Sequence, residues 1–397
     1  MTVKDLKSYQ ILNEKYVKEL NSEGILLEHK KTGARVFLLS NDDENKVFCI
    51  GFRTPPDNDC GLPHILEHSV LCGSDKFPLK DPFVELVKGS LNTFLNAMTY
   101  PDKTVYPVAS CNDKDFHNLM DVYMDAVLHP NIYKEEKIFR QEGWHYELES
   151  KDAPLIYNGV VYNEMKGAYS SPESILDSVT QKTLFPDTCY GKDSGGDPVH
   201  IPELSYEKFL DFHRTYYHPS NSYIYLYGDM DMAEKLEMLD RDYLSRMPRT
   251  TTRPRLTVQD EQAGAKRNIP YYTEKPEPDE AQCALAWYTG AFSDRERQLG
   301  VEILLDALLG TNNSPLKAAL LAEKLGADID MGFDDSTLQP TLELVLRGAT
   351  EESARKFAPA VRKAVDDMVY DLYGEENPRP LEDYVPRQGP EMGGQQM

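Results

Sequence analysis

Two histidines and a glutamate between residues 61 and 73 have the spacing of a metal-binding helix. His64 and His68 are four residues apart, so on an α-helix their imidazoles project from one face and can share a metal ion. Glu67 directly precedes His68, where its carboxylate could reach a water on that metal and act as a general base. The pattern predicts a hydrolytic metal centre; the alternative is a surface helix with incidental polar residues.

Both ends of this helix are marked in the sequence. Pro63 suits a first helical turn, where its missing N–H costs nothing, and Gly73 suits a left-handed residue just past the last turn. The other side chains of the segment are mostly apolar, which places the polar triplet in an otherwise buried seam. Burying two histidines and a glutamate without partners is costly, and a metal ion removes that cost.

A catalytic zinc site needs a third protein ligand beside two histidines, because such sites hold three protein ligands and one water. Glu164 is the predicted third ligand. It lies on a segment in which Val161, Met165 and Ala168 form one apolar helical face, where a carboxylate is poorly solvated unless it meets a cation. The alternative is an ordinary ion-paired helix residue.

Two apolar strands must place this helix. Residues 35–39 and 47–52 flank a turn-like segment and predict a hairpin whose second strand leads into the metal helix. The polar residues before a strand at 24–29 favour a helical start to the chain. Further predicted elements are strands at 91–99, 104–109 and 223–228 and helices at 113–128, 135–147, 203–217 and 232–246.

The order of elements in residues 47–128 recurs in residues 284–373. The helix of the second copy contains no histidine, so the metal site belongs to the first copy alone. We therefore expect repeated α+β units, the second of them incomplete. The predicted division is a metal-bearing domain at 1–247, a linker at 248–270, a partial second domain without the metal motif at 271–373 and a disordered tail at 374–397.

The chain is strongly acidic. Its 43 Lys+Arg and 66 Asp+Glu give a formal net charge of −23, which argues against nucleic acid or an anionic membrane as a partner. The N-terminal residues lack the apolar region of a secretory signal, and no segment approaches the roughly 18 apolar residues of a membrane helix. The six cysteines contain no CxxC pair, so neither a disulfide framework nor a thiolate zinc site is indicated. These features predict a cytoplasmic location.

Several stretches of the sequence together carry a family resemblance. They are residues 61–74, 95–99, 141–144, 159–167 and 194–198. In this order they resemble the pitrilysin/insulinase superfamily, peptidase family M16, and within it the presequence protease and falcilysin branch. The resemblance implies repeated two-layer units of sheet plus helices. It also implies a zinc metalloendopeptidase that hydrolyses unfolded peptides inside a closed chamber.

The resemblance assigns roles at the metal. His64, His68 and Glu164 would hold one Zn²⁺ per chain, and Glu67 would activate a zinc-bound water for attack on a peptide carbonyl. Glu142 is interpreted either as a group that orients a metal ligand or, by default, as a solvated helix carboxylate.

The resemblance also assigns a strand to the substrate. Residues 91–99 would form the sheet edge that pairs with the peptide backbone, so sequence selectivity should be loose. Asn96 and Ala97 are predicted substrate contacts on this strand; the alternative is a plain sheet edge.

The chain differs from the resembled branch in length. Members of that branch have two similar halves hinged together, and the second half, which supplies an arginine and a tyrosine to the substrate carbonyl, is missing. Predicted partners are unstructured peptides and a separate chain that supplies the rest; a truncated gene is the alternative. The leading hypothesis is a zinc endopeptidase or its catalytic portion. The rivals are a non-catalytic subunit or remnant that binds zinc and peptide, and a peptide-binding module that uses only the edge strand.

Overall fold

The protein divides into two compact units. In a computed structural model, the described residues are 1–79, 82–250, 253–260, 264–271 and 280–373. The first unit contains Met1–Ser171 and Phe185–Thr257, and the second contains Pro172–Leu184 with the described residues of Val258–Met397. The predicted linker has no helix or strand in its described residues, and the predicted tail at 374–397 lies outside them. The functional domain limits stay a prediction.

The strands and helices follow the chain in a mixed order. The strands are β1 (Tyr9–Val17), β2 (Ser22–His29), β3 (Arg35–Ser40), β4 (Lys46–Arg53), β5 (Asn92–Leu95), β6 (Met98–Thr99), β7 (Lys103–Ser110), β8 (His145–Glu147), β9 (Ile156–Asn158), β10 (Ser222–Gly228), β11 (Ala281–Tyr288), β12 (Asp328–Asp334) and β13 (Thr341–Ala349). The helices are α1 (Leu62–Val70), α2 (Pro82–Gly89), α3 (Asp113–Leu128), α4 (Glu136–Glu142), α5 (Val160–Ala168), α6 (Pro172–Leu184), α7 (Tyr206–Tyr216), α8 (Met232–Asp242), α9 (Arg295–Leu309), α10 (Pro315–Ala322) and α11 (Glu351–Tyr373).

An eight-stranded sheet organises the described residues of the first unit. Its order is β1-β2-β3-β10-β4-β7-β5, with β6 also paired to β7. β10 runs parallel to β3 and antiparallel to β4, and the predicted hairpin of β3 and β4 is therefore split by a strand from much later in the chain. β8 and β9 form a separate antiparallel pair.

One face of this sheet packs on helices. Phe48 and Ile50 of β4, Leu66 of α1 and Phe116 and Tyr123 of α3 are each at most 1% exposed and belong to one core cluster. Alternate residues of a strand point to opposite faces of the sheet. The side chains on one face are therefore buried in the core, and those on the other face are more exposed. The apolar face of α1 therefore packs in the core, and this packing fixes the direction in which its polar residues point.

Two predicted elements of the first unit were wrong in type or length. The polar start forms a strand and two short 3-10 turns instead of an α-helix. β1 pairs with β2 along its length, and the Tyr9 hydroxyl donates a hydrogen bond to the Leu236 carbonyl at 2.9 Å. Pairing with a neighbouring strand outweighs the polar composition of this segment. The helix predicted at 135–147 ends at Glu142, because at Gly143 the chain turns into β8 and passes so close to α4 that a Cβ would lie 2.9 Å from the Phe139 carbonyl.

The second unit has a three-stranded antiparallel sheet in its described residues. The order is β11-β13-β12, the same arrangement as β4-β7-β5 in the first unit, which confirms the predicted repeat of elements. Its core contains Leu305, Leu320, Leu346 and Phe357. Helix α6 belongs to this unit although it precedes β10 in the chain, and the Tyr288 hydroxyl donates to the Leu184 carbonyl at its end. The sequence did not predict this exchange.

None of the helices in the described residues has the length and apolar character that crossing a membrane requires.

Candidate metal centre

The ends of three side chains meet where α1 and α5 face each other. His64 and His68 lie on α1 and Glu164 lies on α5, and one potential ligand atom from each falls within 4.8 Å of the others. The Nε2 atoms of both histidines are each 3.8 Å from Oε2 of Glu164. The predicted ligands are thus brought together, although three helices and five strands of the described residues, α2–α4 and β5–β9, separate α1 from α5 in the chain.

The local ends of α1 agree with the sequence. Gly61 precedes the helix with a φ of +66°, Pro63 lies in the first turn, and Gly73 follows with a φ of +105°. Both glycines have the left-handed backbone that other residues adopt only with strain. One helical turn then separates His64 from His68, whose ring centroids are 4.9 Å apart.

Each histidine ring is held by a contact on its other nitrogen. Nδ1 of His64 lies 3.1 Å from the Gly195 carbonyl oxygen, and Nδ1 of His68 lies 3.4 Å from Oε2 of Glu142. A carbonyl only accepts, so the neutral His64 ring donates from Nδ1 and keeps a lone pair on Nε2. Contacts of this kind orient metal-bound histidines in proteins.

Gly195 was not predicted to have a role at the site. It belongs to the glycine-rich loop at 194–198, which contributed to the family resemblance without a predicted role at the metal. A Cβ on Gly61 would lie 2.6 Å from the Gly195 carbonyl oxygen and 2.8 Å from Cα of Gly196, so the loop and the start of α1 pack backbone to backbone. The paired glycines at 61 and 195–196 were the available signal, because such close approach admits only glycine.

Carboxylates dominate the electrostatics around His68. Burial alone would lower the pKa of His68, but the hydrogen bond to Glu142 and the charges of Glu67, Glu142 and Glu164 outweigh it and raise the pKa. Burial would likewise raise the pKa of Glu142, whereas its contacts with His68 and Gln141 lower it. The site therefore favours positive charge between the rings and the carboxylates.

Glu142 is not the solvated carboxylate that the sequence suggested by default. The residue is 6% exposed, and Gln141 donates a hydrogen bond from its side-chain amide to Oε1 of Glu142 at 2.7 Å. Cys72 of the segment after α1 lies 3.6 Å from the same oxygen. A buried carboxylate held in this way is suited to orient His68.

Glu67 points into the unit beside the two candidate histidine ligands. The residue is 8% exposed, and within the described residues its carboxylate has no hydrogen-bond partner. Its charge contributes to the raised pKa values of Tyr106 and Tyr217, which burial raises first and whose hydroxyls lie 2.8 Å apart. A buried carboxylate without a partner normally has a functional reason.

The donor set fits zinc. Two imidazole nitrogens and one carboxylate oxygen form the ligand set of one class of catalytic zinc sites. Ligand atoms on tetrahedral zinc lie about 3.4 Å apart when the bonds are about 2.1 Å long. The two nitrogen-to-oxygen separations of 3.8 Å at this site are close to that value. Glu164 also remains half exposed, which leaves one side of the site open.

The predicted substrate strand is interrupted. Residues 91–99 form β5 and β6, and Asn96 and Ala97 lie between them. The Asn96 N–H donates to the Pro107 carbonyl at 3.2 Å, and its carbonyl accepts from the Tyr123 hydroxyl at 3.3 Å. The backbone of Asn96 is thus bound within the unit, while β5 ends the sheet order and has an unpaired edge in the described residues. Contact of Asn96 and Ala97 with substrate stays a prediction.

Comparison with known proteins matches both parts of the chain to one family. Residues 47–168 match the family described as insulinase (peptidase family M16), and residues 203–376 match the peptidase M16 inactive domain. The chain belongs to the M16 peptidase family. Helix α1 with its two histidines, the Glu164 helix α5 and the edge strand β5 all lie in the first matched segment of this M16 chain.

Relatives of the M16 chain include presequence proteases. It is 48% identical over 364 residues to Protein HypA of Clostridium perfringens, a match that covers 91% of this chain and 37% of the relative. It is 46% identical over 354 residues to presequence protease 1, chloroplastic/mitochondrial, of Arabidopsis thaliana, covering 88% of this chain and 33% of the relative. The chain thus spans about a third of the length of these relatives.

Solved structures share the fold. The crystal structure of pitrilysin aligns with a TM-score of 0.63 at 17% identity and covers 92% of this chain and 38% of pitrilysin. A protease from Helicobacter pylori aligns with a TM-score of 0.61 at 16% identity and covers 91% of this chain and 81% of that protein. The repeated sheet-plus-helices α+β architecture of M16 peptidases is therefore the fold of this chain.

Proposed function

We propose that the chain is a zinc-dependent metalloendopeptidase, or the catalytic portion of one, that hydrolyses unfolded peptides. The observation that carries this proposal is the convergence of the His64, His68 and Glu164 ligand atoms within 4.8 Å, beside the buried carboxylate of Glu67. These three residues would hold one zinc ion. Zinc, when bound, supplies Lewis acidity to a water and to the peptide carbonyl.

Glu67 supplies the proton transfer. Its carboxylate accepts a proton as a water oxygen bonds to the peptide carbonyl carbon, and it returns this proton to the leaving nitrogen as the C–N bond breaks. Within the described residues no hydrogen bond occupies the Glu67 oxygens, so they are available to a water. Gly195 and Glu142 hold the two histidine rings so that neither needs to reorient during the reaction.

The substrate would bind as an added strand. β5 is the last strand of the sheet, and Leu91 and Phe94 along this edge are 65% and 47% exposed. An extended peptide can pair its backbone with such an edge while exposed apolar side chains contact its own. Main-chain pairing needs an unfolded substrate and gives little sequence selectivity, which supports unstructured peptides as the substrate class.

The relatives' length adds a proposal about partners. Because the chain spans about a third of the presequence protease and HypA relatives, a separate chain could supply the residues that match the rest of them. Activity of the chain alone and activity with such a partner are separate outcomes.

The test is cleavage of a quenched fluorescent, unstructured peptide by the purified chain loaded with zinc. We expect Glu67→Gln to lower kcat by about 100-fold or more, because general-base catalysis contributes roughly that factor, while zinc binding is kept. Glu207→Gln, at an exposed carboxylate on α7, is the matched control and should cleave at the wild-type rate.

Cleavage that survives Glu67→Gln would sink this mechanism. Zinc bound at one ion per chain with no turnover would instead favour a non-catalytic subunit or remnant. If His64→Ala leaves peptide affinity unchanged and no zinc is retained by the wild type, the chain is a peptide-binding module.

A further inference from the structure

A cavity of about 230 Å³ in the first unit is lined by arginines from three distant parts of the chain. Arg35 begins β3, Arg53 ends β4, and Arg253 follows the last helix of the unit. Tyr223, at the start of β10, also lines the cavity, whereas none of the candidate zinc ligands does. The cavity is thus a separate feature from the metal centre.

The strand register places two of the arginines on one face of the sheet. Tyr223 pairs with Arg35 on one side and with Gly51 on the other, and Arg53 is two residues beyond Gly51. Side chains at paired and at alternate positions share a face. Accordingly, the guanidinium carbons of Arg35 and Arg53 each lie 5.8 Å from the centroid of the Tyr223 ring. Two guanidinium groups of like charge therefore contact the same aromatic ring.

Arg253 is fixed by neutral acceptors. Its Nε donates to the Ser220 carbonyl at 2.9 Å, and Nη2 donates to the Gly33 carbonyl at 2.9 Å. These bonds hold the guanidinium in place without neutralising it, and they leave N–H groups on Nη1 for a further acceptor. Within the residues that the structure describes, neither Arg253 nor Arg35 has a carboxylate within 4.0 Å.

The nearby carboxylates do not balance the arginines. Glu28 is opposite Arg35 in the strand register, but its Oε1 is 3.2 Å from Arg249. Asp102 lies 3.7 Å from Arg53 and also accepts from the Tyr190 hydroxyl at 2.9 Å. Lys103 also lies 3.3 Å from Asp102, so five cationic side chains meet two carboxylates here, an excess of positive charge in a chain whose formal net charge is −23.

The Ser220 hydroxyl and the amide N–H groups of Asn221, which line the cavity, already have partners. The Asn221 amide donates to the Arg53 carbonyl at 2.9 Å and to the Tyr216 carbonyl at 2.8 Å. The Ser220 hydroxyl donates to the Thr32 carbonyl at 2.7 Å and accepts from the Thr250 N–H at 2.9 Å. The remaining hydrogen-bonding capacity is therefore mainly that of guanidinium groups, which only donate.

We propose that this cavity binds a phosphate-type oxyanion, either inorganic phosphate or the phosphate group of a small organic molecule. A phosphate dianion accepts at every oxygen and carries two negative charges, which offset most of this positive excess. The cavity volume of about 230 Å³ is several times the roughly 30 Å³ that a water molecule occupies, so it holds more than a single ordered water. The site goes beyond the proposed peptidase function and does not depend on it.

Calorimetric titration of the full chain with inorganic phosphate and with pyrophosphate tests this site. At fixed ionic strength we expect saturable binding of one anion per chain. Arg35→Gln and Arg253→Gln should each weaken it about tenfold or more, since a charged hydrogen bond contributes about 1.5–3 kcal/mol. Arg241→Gln is the matched control, because Arg241 is 68% exposed and paired with Asp242. Chelator-treated chain should bind phosphate equally well, which separates this site from the zinc proposal.

Three outcomes would overturn the assignment. They are no saturable binding to the wild type, equal weakening by Arg241→Gln, and acetate binding as tightly as phosphate. A thermal scan separates loss of phosphate binding from loss of folding. Phosphate should raise the melting temperature of the wild type above that in chloride at equal ionic strength. In Arg35→Gln this rise should vanish while the melting temperature in chloride stays near that of the wild type.

Discussion

The Nδ1 atom of His68 lies 3.4 Å from Oε2 of Glu142, on the side of the ring opposite Glu164. Glu142 is buried, and its other carboxylate oxygen accepts a hydrogen bond from Gln141. Rotation of the carboxylate away from His68 would therefore leave a buried polar group without its partner, which is costly. This contact couples the short helix α4 to the candidate zinc ligand.

Replacing Glu142 should weaken zinc binding without removing a ligand. We expect Glu142→Gln to lower zinc affinity by about 10- to 100-fold, the range found when groups behind metal ligands are changed. Competition with a chromogenic chelator measures this affinity. Glu149→Gln, at an exposed carboxylate in the segment between β8 and β9, is the control and should match the wild type. Equal affinities for all three proteins would remove Glu142 from the site.

Glu164 should matter for zinc and little for the metal-free fold. Its side chain is 54% exposed, so Glu164→Ala should change the free energy of unfolding of the chelator-treated chain by less than about 0.5 kcal/mol. Zinc at 100 times its Kd should stabilise the wild type by about 2.7 kcal/mol, and the variant should lose most of this gain. Thermal scans with zinc and with chelator measure both quantities. A variant that keeps the full zinc-dependent rise would show that Glu164 is not a ligand.

The close approach of Gly61 to the 194–198 loop predicts a coupled effect. Gly61→Ala would place a Cβ 2.6 Å from the Gly195 carbonyl oxygen at a φ of +66°, which strains the backbone by about 1–3 kcal/mol. It also moves the acceptor of His64 Nδ1, so both stability and zinc affinity should fall. Gly89→Ala is the control, because nothing lies within 4 Å of a Cβ at that position. Chemical denaturation measures the stability, and chelator competition measures the zinc affinity. If neither falls in Gly61→Ala, the close packing of Gly61 on the 194–198 loop is contradicted.

His213 predicts how stability depends on pH. Burial lowers the pKa of His213 to about 4, and its ring contacts the Tyr133 hydroxyl at 2.7 Å and the Val127 carbonyl at 2.9 Å. The unfolded chain protonates this residue near pH 6.5 and the folded chain does not. The contribution of His213 to the free energy of unfolding is therefore fully present above pH 6.5. As the pH falls toward 4, this free energy decreases by about 3 kcal/mol in total.

The measurement is the free energy of unfolding of wild type and His213→Gln at pH 7.5 and pH 5. Both proteins lose stability in acid because other groups titrate, so the difference between their slopes isolates His213. The wild type should lose about 2 kcal/mol more than the variant over this interval. Parallel curves would mean that the buried ring does not resist protonation.

The sequence alone predicted the chemistry that depends on local spacing. Three residues at i, i+3 and i+4 share a helical face wherever the helix lies, so His64, Glu67 and His68 were found without any knowledge of packing. The repeated order of strands and helices was likewise predicted, because apolar periodicity is a local property. Family resemblance and residue chemistry together singled out Glu164.

Tertiary structure decided what surrounds those residues. The Gly195 carbonyl behind His64, the burial of Glu142 and the convergence of Arg35 with Arg253 all join segments far apart in the chain. Strand β1 shows the same limit, since its polar residues favour a helix locally and become a strand only through pairing with β2. Residue types and short spacings fix which groups can react. Which backbone carbonyl or carboxylate orients them depends on packing between segments that are far apart in the chain. Local sequence patterns do not predict that packing.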